Sequence, residues 1–279
     1  MPAPPSDARL LHARLVHVRP TGDDGVVLRV RPERELPPLR ASRFFMLKRL
    51  DGTSPMIPRP FSIYRQVDGC LEFLIKVMGR GTRALAEAPE GAELSVVGPL
   101  GNGWPDLDGE SASWVLLGGG VGAAPFPMLI EASLARGVAP GRIHYLLGAA
   151  TKGLLYDLDW PRDLAERGVR FLTATDDGSE GFHGNVLGLL ERLWDEGELP
   201  REVRLLACGP DPMLHAVERL ARERDLEAWL SLETLMGCGV GICNGCPVPT
   251  RPDGPLGAWG NAKCCVEGPV FSTREVTLG

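Results

Sequence analysis

The spacing of apolar residues divides the chain into two long parts with different patterns. Up to about residue 107, the apolar residues come in short, valine-rich runs that proline and glycine separate. The clearest runs cover residues 14–18, 25–30, 71–77 and 93–97. Short alternating runs with turn residues between them are typical of antiparallel strands. Residues 1–107 therefore predict an antiparallel β-barrel, with one short helix that begins near Thr82.

The second part, residues 108–228, alternates strand-like and helix-like segments. The strand-like runs are residues 114–117, 142–147, 168–175 and 203–207, and the clearest helical patterns are residues 126–135, 186–195 and 211–224. This alternation predicts an open parallel α/β sheet with helices on both faces. The remaining residues, 229–279, hold five of the seven cysteines and form a third, small segment.

Composition narrows the classes of function. The net charge is −6 and no lysine or arginine cluster stands out, so we expect no nucleic acid partner. The N-terminus lacks the charged and apolar regions of an export signal. The longest uncharged stretch, residues 111–130, is broken by three consecutive glycines and two prolines, which argues against a membrane span. We therefore expect a cytoplasmic protein without a membrane partner.

The cysteines of the third segment have a distinctive spacing. Cys238, Cys243 and Cys246 follow the pattern C-x4-C-x2-C, and Cys264 and Cys265 come later. Plant-type [2Fe–2S] sites have this spacing, with the fourth thiolate supplied from a distance. Structural zinc usually takes two C-x2-C pairs, and only one such pair is present here. The spacing predicts an iron–sulfur cluster, and it leaves Cys264 and Cys265 as alternatives for the fourth ligand.

A glycine-rich turn follows the first strand of the α/β part. It reads G-G-G-V-G-A-A-P over residues 118–125. Such sheets hold a dinucleotide at this place, but the turn differs from G-x-G-x-x-G, so a tight turn without a ligand is the alternative. Residues 175–178 and 208–210 end two further strands at the same edge of the sheet, where ligands collect.

Two short segments of the barrel part also suggest a ligand. The first is the run R-P-F-S-I-Y at residues 59–64. The second, Gly81-Thr82, lies at the start of the predicted helix, where free amides can bind an anion. Ordinary helix capping by Thr82 is the simpler explanation of the second segment.

Taken together, these segments resemble the ferredoxin-reductase-like flavoproteins, and in particular the electron-transfer subunit of NAD-dependent (class 1B) dihydroorotate dehydrogenase. The similarity covers most of the chain. The segments that carry it are R-P-F-S (59–62), G-T (81–82), G-G-G-V-G-A-A-P (118–125), D-D-G-S (176–179), C-G-P (208–210), S-L-E-T-L-M-G-C (231–238) and C-V-E-G-P-V-F (265–271). The last of these selects Cys265 as the fourth ligand.

The resemblance implies FAD in the barrel, NAD on the α/β sheet and a [2Fe–2S] cluster in the third segment. It implies cluster ligation by Cys238, Cys243, Cys246 and Cys265. It implies cofactor binding by Arg59, Pro60, Phe61, Ser62, Ile63, Tyr64, Leu74, Ile75, Lys76, Gly81, Thr82, Gly118, Gly119, Gly120, Val121, Gly122, Cys208, Gly209, Pro210 and Glu233. In this interpretation Ser62 binds the flavin ring, Tyr64 packs nearby, and Glu233 approaches the nicotinamide or the flavin edge.

No histidine falls in these motifs and no residue is placed for acid–base work on an organic substrate, so we expect a partner to carry out that half-reaction. The resemblance implies that this partner is an FMN-containing catalytic subunit that oxidises dihydroorotate to orotate in pyrimidine biosynthesis. Electrons then pass from FMN to the cluster, to FAD and to NAD+, and two copies of each subunit form a heterotetramer.

Two features depart from the family pattern, and two alternative functions stay open. Ala150 stands where relatives often carry arginine, and the eighteen residues between Cys246 and Cys265 form a linker that is longer than usual. The nearest alternative is an NAD(P)H reductase subunit that serves a hydrogenase, a ferredoxin or a sulfur-reducing partner. An alternative of another class is a zinc-stabilised, non-catalytic binding module. The sequence leaves the choice between NAD and NADP open.

Overall fold

The computed structural model describes residues 7–52, 55–109 and 113–278. The stretch 1–6, considered above for an export signal, and the start of the uncharged stretch 111–130 lie outside these residues. The first sheet has seven antiparallel strands in the order β4-β3-β7-β1-β2-β6-β5. They are β1 (Arg9–Thr21), β2 (Gly25–Pro32), β3 (Phe44–Arg49), β4 (Arg59–Ser62), β5 (Arg65–Val67), β6 (Cys70–Lys76) and β7 (Glu93–Leu100), with helix α1 (Arg80–Ala86) before β7.

Alternation of apolar and polar residues gives this sheet one buried face. In β1, for example, Leu11, Ala13 and Leu15 are buried while their neighbours are largely exposed. The sheet curls so that distant strands share this core. Phe45 of β3 and Phe73 of β6 are separated by three strands in the sheet, yet their ring centroids are 5.7 Å apart. Strands β4 and β5 stay at opposite ends of the hydrogen-bonded order, so the barrel is open there.

The rest of the chain forms a second seven-stranded sheet and a small hairpin. The strands are β8 (Ser113–Gly119), β9 (Ile143–Ala149), β10 (Arg170–Thr175), β11 (Phe182–His183), β12 (Val203–Cys208), β13 (Ala228–Ser231), β14 (Pro247–Pro249), β15 (Asn261–Lys263) and β16 (Val270–Ser272). The helices are α2 (Phe126–Ala135), α3 (Asp159–Glu166), α4 (Val186–Asp195) and α5 (Asp211–Glu223), with 3-10 turns at Gly120–Ala123, Pro140–Arg142 and Lys152–Leu154.

The second sheet has the order β11-β10-β9-β8-β12-β13-β16. All its pairs are parallel except the last, in which β16 runs antiparallel to β13. The chain leaves β8 toward β9 on one side and returns to β12 on the other, so the strand order reverses at β8. The crevice beyond the carboxyl ends of β8 and β12 is where sheets of this kind bind ligands.

The predicted fold class is confirmed: an antiparallel barrel-like sheet precedes an α/β sheet with a small C-terminal segment. The parallel sheet has one addition that the sequence pattern did not predict, its antiparallel edge strand β16. Strand β13 crosses the predicted boundary between residues 228 and 229, and β16 comes from the third segment, so that segment shares a sheet with the α/β part. Within the described residues, no helix is long and apolar enough to cross a membrane.

Candidate functional site

A cavity of about 410 Å³ lies between the barrel and the α/β sheet. Strand β4, the end of β6 and the start of α1 form its barrel side, and the turn after β8 together with the segment after β13 forms the other side. The predicted residues that line it are Arg59, Pro60, Phe61, Ser62, Leu74, Ile75, Lys76, Gly81, Thr82, Val121, Gly122, Cys208 and Glu233.

The barrel side of this first cavity depends on a close approach between β4 and α1. A side chain at Gly81 would place its Cβ 3.0 Å from Nε of Arg59, so glycine lets the guanidinium lie over the start of the helix. The Thr82 hydroxyl accepts hydrogen bonds from the amides of Met78 and Gly79 at 3.0 and 3.1 Å. Its side chain therefore serves as a helix cap, and Thr82 can hold a ligand here only through its backbone.

A second cavity of about 870 Å³ lies at the carboxyl ends of the parallel strands. The turn after β8 and the turn after β12 form its floor. The predicted residues that line it are Lys76, Gly119, Gly120, Val121, Gly122, Gly209, Pro210 and Glu233.

Glycine is required where the two turns of this second cavity meet. A Cβ on Gly119 would lie 2.7 Å from Cδ of Pro210 and 2.8 Å from Sδ of Met213. A Cβ on Gly209 would lie 3.0 Å from Cα of Gly119. The absence of side chains thus allows the two backbones to pack together and leaves the crevice above them open to a flat or extended ligand.

The two cavities adjoin each other. Five residues line both of them: Lys76, Met78, Val121, Gly122 and Glu233. A ligand in one cavity therefore lies beside a ligand in the other, with only these side chains and the glycine backbone at the border.

Charged groups occupy this border. The Lys76 ammonium lies 3.5 Å from the Asp24 carboxylate, and the Tyr156 hydroxyl donates to the other Asp24 oxygen at 2.5 Å. Desolvation, together with Asp211, raises the pKa of Glu233 above its usual value. Burial, together with Glu233, raises the pKa of Cys208 to about 12, so this thiol stays protonated at neutral pH.

Three of the predicted cofactor-binding residues line neither cavity. Ile63 is fully buried in the barrel core. Tyr64 is also buried, with its ring 5.3 Å from the ring of Trp160 and its hydroxyl bonded to Asp157. Gly118 lies beneath the turn, where a Cβ would be 3.1 Å from Cδ1 of Leu147. These residues support the walls and do not face the space.

Several lining residues were missed by sequence reasoning. In the second cavity they lie before and on α4 and on α5, and in the first they flank Glu233. The helical periodicity predicted both helices, but it does not tell which turn of a helix faces the crevice. The missed residues include Asn185, Leu187, Gly188 and Glu191, then Pro212, Met213, Ala216 and Arg219, and Leu232, Thr234, Leu235 and Met236.

The cysteine loop folds back on the closing segment. The Sγ atoms of Cys246 and Cys265 are 3.2 Å apart. The amide of Val240 donates to Sγ of Cys238 at 3.4 Å. Gly239 and Gly241 have φ values of +72° and +80°, which glycine adopts without strain. Amides directed at sulfur in a tight glycine loop are the environment that a thiolate cluster needs.

The thiols of this loop differ in acidity. Burial raises the pKa of Cys238, but hydrogen bonds from the amides of Cys243 and Val240 outweigh it and lower the pKa to about 7. Burial and the hydrogen bond with Cys246 raise the pKa of Cys265 to about 12. Metal binding needs the thiolate, so a cluster would displace the proton from Cys265.

Cys264 faces a different environment from its neighbour. It has no exposed surface, and its thiol donates to the Leu232 carbonyl at 3.5 Å. Burial raises its pKa to about 12. Cys264 thus ties the closing segment to the wall of the first cavity, whereas Cys265 lies beside Cys246. Within the described residues, no three His, Cys, Asp or Glu side chains are arranged to hold one metal ion.

Comparisons with known proteins show what the chain is similar to. Residues 233–277 match the family model of the iron–sulfur cluster binding domain of dihydroorotate dehydrogenase B. Over 239 residues the chain is 36% identical to the electron transfer subunit of dihydroorotate dehydrogenase B (NAD(+)) from Bacillus mycoides (strain KBAB4), a match that covers 85% of this chain and 86% of the relative. The corresponding subunit of Bacillus cereus (strain Q1) is 35% identical with the same coverage.

Solved structures share the fold. An NADH-dependent reduced ferredoxin-NADP oxidoreductase, described for flavin-based electron bifurcation, superposes with a TM-score of 0.79 at 26% identity, over 95% of this chain and 89% of its own. A ferredoxin NADP+ reductase from Neisseria gonorrhoeae with bound FAD and NADP gives a TM-score of 0.63 over 79% of this chain and 92% of its own. At 18% identity, the second similarity concerns the fold alone.

Proposed function

Because this chain belongs to the family of electron-transfer subunits of dihydroorotate dehydrogenase B, we propose that it carries electrons between a catalytic partner subunit and NAD+. FAD and a [2Fe–2S] cluster are its resident cofactors. A flavin exchanges two electrons with a nicotinamide and single electrons with an iron–sulfur cluster, so it supplies the conversion that this route needs.

The observation that carries the proposal is the common border of the two cavities. Exchange of a hydride requires direct contact between the two rings. The border residues Val121 and Gly122 have small or absent side chains, and they leave the two spaces in contact. Lys76 and Glu233 bring one positive and one negative group to the place where the reacting rings would meet.

The first cavity has the donors that FAD requires. Arg59 offers its planar guanidinium to phosphate or to the flavin edge. Ser62 offers a hydroxyl to the polar edge of the isoalloxazine, and Gly81 and Thr82 line the cavity at the start of α1, where their backbone would hold the pyrophosphate. Strand residues Leu74 and Ile75 supply the apolar wall along the ring.

The second cavity fits a pyridine dinucleotide. The turn of residues 119–122 brings bare backbone to the pyrophosphate, as a glycine turn at the end of a first strand does in such sheets. Gly209 and Pro210 close the floor beneath the nicotinamide half. Residues of α4 and α5 line the far end, where the adenosine half would lie.

The cysteine loop fits a four-thiolate cluster held by Cys238, Cys243, Cys246 and Cys265. The separation of 3.2 Å between two of these sulfurs and the amide directed at a third support this ligand set. The contact between Cys264 and the Leu232 carbonyl supports its exclusion.

The oxidation of the organic substrate belongs to the partner. In the described structure, no histidine lines either cavity, so neither space offers an imidazole base. The partner in this proposal contains FMN and oxidises dihydroorotate to orotate, and two copies of each subunit assemble in the cytoplasm. Electrons then enter this chain at the cluster and leave it on NAD+.

The test is reconstitution from purified subunits. The chain alone should be yellow-brown, contain one flavin and two irons, and oxidise NADH with an artificial acceptor. Dihydroorotate should reduce its flavin only after the FMN-containing subunit is added. A colourless chain, zinc in place of iron, or reduction by dihydroorotate without the partner contradicts the proposal.

One observation favours a second candidate, a reductase subunit that serves a ferredoxin. The NADH-dependent reduced ferredoxin-NADP oxidoreductase shares the fold over 95% of this chain at 26% identity, with a TM-score of 0.79. Stopped-flow reduction of the chain separates the two candidates. Fast reduction by a reduced ferredoxin, with none by the dihydroorotate-reduced FMN subunit, would favour the second.

A further inference from the structure

The long linker between Cys246 and Cys265 is folded into a hairpin with a defined attachment. Strands β14 and β15 pair in antiparallel fashion at its base. Arg251, just beyond β14, donates from Nε to the carbonyls of Thr273 and Val276 at 2.7 and 3.1 Å. The linker is therefore held against the C-terminal residues of the chain by a single side chain as well as by backbone bonds.

The same guanidinium reaches the α/β part of the protein. Nη2 of Arg251 lies 3.0 Å from Oε1 of Glu218, in the middle of helix α5. The Glu218 side chain is only 5% exposed, and a carboxylate so deeply buried requires charged or hydrogen-bonding partners. Its other oxygen accepts from the amide of Leu278 at 3.4 Å.

A second cation shares this carboxylate but is far more exposed. Arg222 approaches Oε1 at 2.9 Å, one helical turn away on α5, with 62% of its side chain exposed. The Arg251 side chain is 26% exposed. Both arginines share the buried carboxylate, but solvent screens the more exposed Arg222 more strongly, so we expect its removal to cost less than the removal of Arg251. Arg251 is the partner that joins two different parts of the fold.

Helix α5 is also a wall of the second cavity. Its residues Pro212, Met213, Ala216 and Arg219 line that space, and Arg219 directly follows Glu218. The Arg251–Glu218 pair thus connects the linker between two proposed cluster ligands to the helix that faces the proposed nucleotide. Within the described residues, Arg251 is the linker residue whose side chain donates a hydrogen bond to α5.

We propose that Arg251 is a positioning residue, which acts through Glu218 to hold the cluster-binding hairpin and the nucleotide-binding helix in one fixed arrangement. The proposal rests on the function proposed above, since it takes the second cavity as the nucleotide site and the cysteine loop as the cluster site. It assigns a role to the extended linker: the linker carries the arginine that reaches α5.

The test uses the full chain with its cofactors. In the variant Arg251→Met the carboxylate loses its less exposed cation, while the unbranched stem of the side chain is largely kept. We expect a changed electron paramagnetic resonance spectrum of the reduced cluster. We also expect the KM for NADH, measured with an acceptor that bypasses the cluster, to rise about five-fold without a matching change in kcat.

Matched variants identify the cause. Arg222→Met removes the other cation from the same carboxylate and should leave both the spectrum and the KM unchanged. Arg251→Lys should lie between Arg251→Met and the wild type in both readouts, because lysine restores the charge but not the planar fork. If Arg251→Met does not fold, Glu218→Gln keeps the size of the side chain and should move both readouts in the same direction.

Two results overturn the inference: a wild-type spectrum and KM in Arg251→Met or Glu218→Gln, or equal effects of Arg251→Met and Arg222→Met. The function proposed above fails in a different way, namely through a wild-type chain that binds no flavin or iron.

Discussion

The Tyr64 hydroxyl donates a 2.8 Å hydrogen bond to the Asp157 carboxylate, and this bond joins the barrel to the α/β part of the chain. Asp157 also accepts from Arg19 at 2.7 Å, and its amide donates to the Thr21 hydroxyl at 2.8 Å. Tyr64, at the end of the R-P-F-S-I-Y run, thus helps to fix the angle between the barrel and the α/β part, which form the two sides of the site.

Removal of this hydroxyl should weaken the connection between the halves. In Tyr64→Phe the ring still packs on Trp160, but a mostly buried carboxylate loses one donor, which costs about 1–2 kcal/mol. The free energy of unfolding from urea titration measures the effect. Arg14→Ala, which breaks an exposed ion pair with Glu93, is the control and should change the value by well under 1 kcal/mol. Equal effects of both variants would contradict this role of Tyr64.

The two adjacent cysteines should respond differently to the same substitution. Cys265→Ser removes a sulfur that lies 3.2 Å from Cys246, and we expect loss of the bound iron and of the absorbance of the cluster. Cys264→Ser keeps a hydrogen-bond donor toward the Leu232 carbonyl, and we expect both signals to remain. Iron analysis of the two purified variants shows which cysteine is the ligand. Loss of iron in Cys264→Ser, with iron kept in Cys265→Ser, would make Cys264 the fourth ligand.

The close approach of the two turns should make Gly119 intolerant of a side chain. In Gly119→Ala the new methyl group meets Cδ of Pro210 at 2.7 Å, and a proline ring cannot move aside cheaply. We expect the affinity for NADH to fall roughly tenfold, equivalent to about 1.4 kcal/mol. Titration of flavin-loaded protein with a non-reducing NADH analogue measures this. Gly141→Ala has no heavy atom within 4 Å of its Cβ and should bind as the wild type does.

Acid should destabilise the fold through His144. Burial, and to a smaller extent the charge of Arg170, lowers the pKa of His144 to about 4. The unfolded chain, with an ordinary histidine pKa of about 6.5, therefore binds more protons than the folded chain between these two values. Stability rises with pH in this window, and up to about 3 kcal/mol is lost on acidification from about pH 6.5 to pH 4.

Urea titrations at pH 7.5 and pH 5 check this dependence. The difference in unfolding free energy between the two pH values should shrink in His144→Gln. His17→Gln, which changes an exposed ring paired with Glu90, should keep the wild-type difference. An unchanged difference in His144→Gln would assign the acid sensitivity to other groups.

Local patterns predicted those elements whose own residues determine them. Helix α4 was predicted over residues 186–195 and is found at Val186–Asp195, because Leu189, Leu190 and Leu193 follow helical spacing and Asn185 caps the first turn. Strand β16 has only three residues and forms because it pairs with β13. Its own sequence therefore has no pattern that predicts a strand.

The candidate site was predicted unevenly for the same reason. Gly119, Gly120 and Gly122 mark a turn by themselves. Arg219 and Glu191, in contrast, line the cavity only because of the way α4 and α5 pack. Tyr64 belongs to the R-P-F-S-I-Y run, and yet its hydroxyl is bonded to Asp157 and does not face the cavity. The run predicts a site but does not determine which way each of its side chains points.

The pairing of β13 with β16 has a consequence for how such proteins diversify. Leu230 and Phe271 are hydrogen-bonded neighbours in the sheet, so the cysteine-bearing stretch leaves and rejoins the protein at nearly one point. Insertions whose ends meet at the margin of a sheet are well tolerated. We therefore expect that the cysteine-bearing stretch can be exchanged for another with its ends at the same two positions, while the rest of the chain keeps its framework.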